Sequence, residues 1–109
     1  MNKEDIPIFK KSFELLDWLF DLADQFPKAH RHTFTKRLLD LALEFREKLD
    51  EANLETGRQC LECLSEADLA LAKVEVFVGL ANKKEWLSPE QYQHGSAIVD
   101  EIKNLLERC

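Results

Sequence analysis

Any chemistry in this chain has to come from its cysteines, histidines, carboxylates or cations, and each can be judged by its spacing. Cys60 and Cys63 have the C-x2-C spacing of a zinc knuckle or a redox pair. A zinc site needs two further ligands. The remaining cysteine, Cys109, stands at the end of the sequence, and His30, His32 and His94 are not spaced as a partner pair. Residues three apart share one face of a helix, so the two thiols read as small hydrophobes lining a core or an interface. An odd set of three cysteines also points to free thiols rather than disulfides. Carboxylates are abundant, with Asp17, Asp21 and Asp24 in one run and Asp40, Glu44, Glu47, Asp50 and Glu51 in another. A di-iron bundle demands Glu-x-x-His motifs, and none occurs. These acids alternate with Arg46, Lys48 and apolar positions, the pattern of a solvated helix face. Phosphate loops, serine elbows and nucleophile–base motifs are missing too, so the expectation is a protein that is not an enzyme and has no cofactor and no small-molecule substrate.

One charge feature rises above the background. The ten residues from Lys28 to Arg37 (KAHRHTFTKR) hold four of the fifteen cations, two histidines and none of the twenty-one acids. The whole chain carries −6, and the rest of it therefore −10. Such a surface repels phosphate overall, so a nucleic-acid site has to be local. Lys28, His30, Arg31, His32, Lys36 and Arg37 are the candidate contacts to a phosphate backbone or an acidic partner, helped by the free N–H groups at a helix entrance. Lys83 and Lys84 form a smaller pair beside Trp86.

The elements that position these groups are helices. In 109 residues, 45% are hydrophobic and 33% charged, with three glycines and three prolines, too few breakers for a turn-rich β-sandwich. Apolar residues recur at steps of three and four, predicting one domain of four helices over about 9–26, 33–55, 59–83 and 89–107. Pro27 ends the first and Gly57 is the natural breaker after the second. Val74, Val76 and Val78 allow a strand, but helical periodicity flanks them and no second strand candidate exists. Ser88, Pro89, Glu90 and Gln91 spell a capped start for the fourth helix, and Gly95 within it marks a close helix contact. Short connections make an all-α, up-down-up-down antiparallel four-helix bundle the simplest arrangement. No run of eighteen uncharged apolar residues exists and the first residues lack the apolar stretch of a signal peptide, so a cytoplasmic protein with no membrane partner is expected.

Two helices carry more apolar surface than one bundle can hide. The first has one stripe at Phe13, Leu16, Phe20 and Ala23, another at Leu15, Leu19, Leu22 and Phe26, with Trp18 widening the pair. The third is apolar almost all round from Leu69 to Ala81. A homo-oligomer follows, with Trp18, Leu22, Val76, Phe77 and Leu80 as the residues assigned to its interface.

Trp18, the Phe26-Pro27-Lys28 turn with His30 and Arg31, the second helix ending near Glu51 and Ala52, and the third with Leu69, Lys73 and Leu80 form a familiar series, completed by Leu87 and Ser88 opening a fourth. The pattern resembles the four-helix bundle family that includes the accessory variability determinant (Avd) of diversity-generating retroelements and the proteins encoded in intervening sequences of bacterial large-subunit ribosomal RNA genes. The resemblance runs from about Phe9 to Leu106. It implies a homopentamer of four-helix protomers. For retroelement members it also implies binding to a reverse transcriptase and to RNA or DNA, without catalytic activity, with Lys28, Arg31, Lys36 and Arg37 as the corresponding basic residues. Those members look strongly basic, whereas this chain has a pI near 5.1. The alternative is a structural or protein-interaction bundle of the intervening-sequence type that binds no nucleic acid.

Overall fold

The computed structural model describes residues 2–108. Four helices make the body: α1 (Pro7–Ala23), α2 (Lys36–Leu54), α3 (Gly57–Lys83) and α4 (Pro89–Glu107). α1 packs on α2 and α4, and α3 packs on the same two, so the helices stand in a ring in chain order, as an up-down-up-down bundle requires. The longest dimension is 43 Å, close to the roughly 40 Å that a 27-residue helix such as α3 spans at 1.5 Å per residue.

Apolar spacing explains each inner face. Leu15, Leu19 and Leu22 of α1 meet Leu38, Leu41, Phe45 and Leu49 of α2, Leu71, Val74 and Val78 of α3, and Ile98 and Ile102 of α4 in one core. The core stripe of α1 is thus the second of the two expected. Leu22 is only 4% exposed, so it belongs to the protomer's own core and has no surface to give a neighbouring subunit, contrary to its assignment to the interface. Phe13 and Phe20, at 59% and 43% exposure, occupy the outer stripe instead. The reason is geometric: the two stripes lie on adjoining faces, and only the position of the other helices decides which is inside.

Helix ends depart from the sequence expectation where local hydrogen bonding departs from the α pattern. Pro7 is the first residue of α1, where its missing N–H costs nothing. α1 stops at Ala23 because the Asp24, Gln25 and Phe26 amides bond three residues back, to Asp21, Leu22 and Ala23. A 3-10 turn (Lys28–His30) and a π turn (Arg31–Thr35) then lead directly into α2. Gly57 opens α3 rather than closing α2, at φ +59°, after only two extended residues, Glu55 and Thr56. Ser88 caps α4: its Oγ accepts from the Gln91 amide at 3.1 Å while its own amide donates to Gln91 Oε1 at 2.8 Å. Gly95 is the expected close contact, since a Cβ there would lie 2.2 Å from the Trp18 indole.

Three of the acids are held by a cation of a neighbouring helix. Lys48 of α2 reaches Glu66 of α3 (2.9 Å), Lys103 of α4 reaches Glu75 of α3 (2.7 Å), and Lys11 of α1 reaches Glu101 of α4 (2.8 Å). Exposed pairs of this kind contribute about 0–1 kcal/mol each, so they favour a register more than they stabilise the fold. Near the N-terminus, Arg46 binds Glu4 and Asp50 and lies over the Phe9 ring, 5.2 Å from its centre.

Candidate nucleic-acid interface

Basic residues near both the α1–α2 and α3–α4 junctions converge on one end of the bundle, and the contacts that bring them together are aromatic. Trp86 packs against Phe26 (ring centres 5.7 Å apart), meets Phe34 edge-on (5.2 Å) and stacks on His30 (5.3 Å, 28°). Phe34 stacks in turn on Phe77 of α3. Gln25, just past α1, donates from Nε2 to the Trp86 carbonyl (3.1 Å) and to Gln91 Oε1 (2.9 Å), tying the same end to the start of α4.

The backbone at the end of α3 sets the place of Trp86. Its amide donates to the Ala81 carbonyl and the Glu85 amide to the Asn82 carbonyl, both at 3.0 Å, the bond pair of a Schellman C-cap. Glu85 holds the left-handed position of that motif, φ 61°. Lys83 and Lys84, in the last turn, are thereby carried to the end already occupied by Lys28, Arg31, Lys36 and Arg37.

All six sequence-predicted contacts, Lys28, His30, Arg31, His32, Lys36 and Arg37, are exposed on these turns and the first turn of α2. Lys36 is paired with Asp40 at 2.7 Å, whereas among the described residues Lys28, Arg31 and Arg37 enter no ion pair. They are three cations free to meet an anion. Sequence spacing found this cluster but did not join Lys83 and Lys84 to it, because the Trp86–His30 stack that unites them crosses more than fifty residues of chain. It also gave no sign that Thr35, within the cluster, is buried.

The residues assigned to an oligomer interface separate in three dimensions. Val76 and Leu80 face outward on α3, at 69% and 43% exposure. Phe77 is half-buried against Phe34, and Trp18 is half-buried against α4, where its ring also lies 6.2 Å from His94. Cys60 and Cys63 are free and half-buried. Partial burial, then the carboxylates of Glu51 and Glu66, push the Cys63 thiol up, away from the thiolate that metal binding or redox exchange needs. Among the described residues no group of three or more His, Cys, Asp and Glu is placed to hold a metal ion, and Cys109 lies outside them. No helix of the described residues is long and apolar enough to cross a membrane.

The family model for bAvd-like proteins matches residues 7–107, which takes in all four helices. The chain belongs to the bAvd-like family. A crystal structure of a protein of unknown function from the S23 ribosomal protein family of Bacteroides thetaiotaomicron superposes with a TM-score of 0.84 over 96% of both chains, at 20% identity. That likeness carries the bundle fold of this bAvd-like protein. No curated protein matches the chain.

Proposed function

We propose that this bAvd-like protein is a non-catalytic, homo-oligomeric cytoplasmic adaptor that docks a reverse transcriptase and its RNA, with the basic end of the bundle as the RNA contact. The observation that carries this reading is the gathering of Lys28, Arg31, Lys36, Arg37, Lys83 and Lys84 at one end, six of the chain's fifteen cations, on a molecule of net charge −6. Keeping so many cations together against an acidic background is unfavourable for the free protein and favourable once phosphate neutralises them. Self-association is supported by the outward apolar residues Phe13 on α1 and Leu69, Val76 and Leu80 on α3. α1 and α3 are diagonal in the ring of helices, so these faces look in opposite directions. That layout suits a head-to-tail contact that closes a ring, and the family resemblance implies five copies.

Retention on heparin and on labelled single-stranded RNA tests the basic end. Binding should fall steeply with salt, as counterion release requires, and changing Lys28, Arg31, Lys36 and Arg37 together to alanine should abolish it. RNA binding that survives the fourfold change would place the site elsewhere. No retention at low salt would select the second reading, a protein-interaction bundle without nucleic acid, which the net charge of −6 favours.

A further inference from the structure

Beneath the basic turns lies a cavity of about 200 Å3 between the end of α1 and the π turn. Pockets for drug-sized ligands run to about 300–1,000 Å3, so this one has room for a single base or side chain. Its walls carry three kinds of group. Phe20, Pro27 and Leu39 are apolar, Lys28 and Arg31 are cationic, and Asp24 and Thr35 offer hydrogen bonds.

Thr35 is the informative member. It is 9% exposed, and its Oγ1 is buried without a hydrogen-bond partner. A helical threonine ordinarily satisfies its hydroxyl on the carbonyl three or four residues back. Here Thr35 closes the π turn, where the Lys36 amide bonds to the Arg31 carbonyl five residues back, and its hydroxyl bonds to neither carbonyl. A buried unpaired hydroxyl is costly, and π turns concentrate at functional sites. Thr35 lines the cavity, so a hydroxyl with no partner of its own belongs to a wall residue.

We infer that this cavity is a socket for one unpaired nucleotide of a bound single strand, an inference that rests on the basic end being a nucleic-acid contact. Lys28 and Arg31 hold the phosphate. Phe20, 43% exposed, offers a face for the base, in the manner of aromatic platforms for single strands. Thr35 Oγ1, able to donate and accept, meets the base edge. Asp24 decides between a base and an acidic side chain as occupant: a carboxylate in the wall repels the second and accepts from the exocyclic amine of the first. It also favours cytosine, whose edge carries such an amine, over uracil, whose edge does not.

The test uses the whole protein and fluorescence anisotropy with labelled twelve-nucleotide oligo(rC), oligo(rU), an RNA duplex and an oligoglutamate peptide. Oligo(rC) should bind more tightly than oligo(rU) or duplex. Thr35→Val, nearly the same shape without the hydroxyl, should weaken oligo(rC) binding about fivefold while leaving the salt dependence unchanged. Thr35→Ser, which restores the hydroxyl, should bind as the unaltered protein does, an outcome that loss of packing alone does not produce. Asp24→Asn should narrow the difference between the two oligonucleotides. If oligo(rC) binds and Thr35→Val binds it equally well, the socket is wrong and the adaptor reading stands. Tighter binding of oligoglutamate than of oligo(rC) overturns the nucleotide as occupant. No binding of any oligonucleotide overturns the nucleic-acid contact and the socket with it.

Discussion

Glu85 occupies the one place among the described non-glycine residues where φ is positive, and it does so in the turn that sets Trp86. The left-handed conformation costs an L-residue about 1–2 kcal/mol, and glycine is the residue that usually fills this position of a Schellman cap. Against that gain, glycine adds about 0.4–1 kcal/mol of freedom to the unfolded chain. The first effect wins. Glu85→Gly should raise stability by about 0.5–1 kcal/mol, read as a Tm increase of roughly 3–5 °C at fixed protomer concentration; an unchanged or lowered Tm would show that the turn is unstrained. At this same scale the sequence disclosed charge but not burial. Lys28, Arg31 and Arg37 announce themselves by type and crowding, whereas Thr35 lies in the same exposed-looking KAHRHTFTKR run and is buried at the end of a π turn that no residue type in the run encodes.

Elements were legible where a local signal defines them. The cap of α4 is written into Ser88 to Gln91 and forms as written. The start of α2 is not, because it is approached through 3-10 and π turns that no apolar spacing encodes, and Gly57 is a glycine equally suited to ending one helix or opening the next. The turn at Lys3–Asp5 was invisible as well, since charge pairs rather than periodicity hold it to α2. Those pairs make it sensitive to acid. The hydrogen bond from Arg46 holds the Glu4 carboxyl below its ordinary 4.5. Partial burial alone would raise Asp50, but its bonds from Lys3 and Arg46 prevail and hold it below 3.8. A carboxyl with a lowered folded value stabilises fully above its unfolded value, and that stabilisation is lost as pH falls through the folded one. Arg46→Met keeps an apolar stem over Phe9 and removes the charge, so it should cost about 1 kcal/mol at neutral pH. The gap between the two proteins in urea unfolding should close as pH drops below about 4. A gap that stays constant down to pH 2 would mean that Arg46 acts through packing alone.

Over the whole molecule, periodicity in the sequence establishes that apolar surface is in excess but cannot say which stripe turns outward, which is why Leu22, assigned to the interface, lies in the core while Val76 and Leu80 do face outward. The outward set makes the mode of assembly testable. Phe13 and Val76 are more than half exposed, so an aspartate at either should leave the protomer folded and damage only the face it stands on. If the α1 face of one copy meets the α3 face of the next, each substitution breaks every junction of a ring. Phe13→Asp and Val76→Asp should then both run as monomers in native mass measurement, while the unaltered protein forms the ring. Mixing the two variants makes the sharper prediction. The first still offers an intact α3 face and the second an intact α1 face, so together they can form one junction and no more. A one-to-one heterodimer is expected, with no growth beyond it. If like faces met instead, one variant would remain paired with itself and the mixture would gain nothing, so the head-to-tail arrangement stands or falls on that single species.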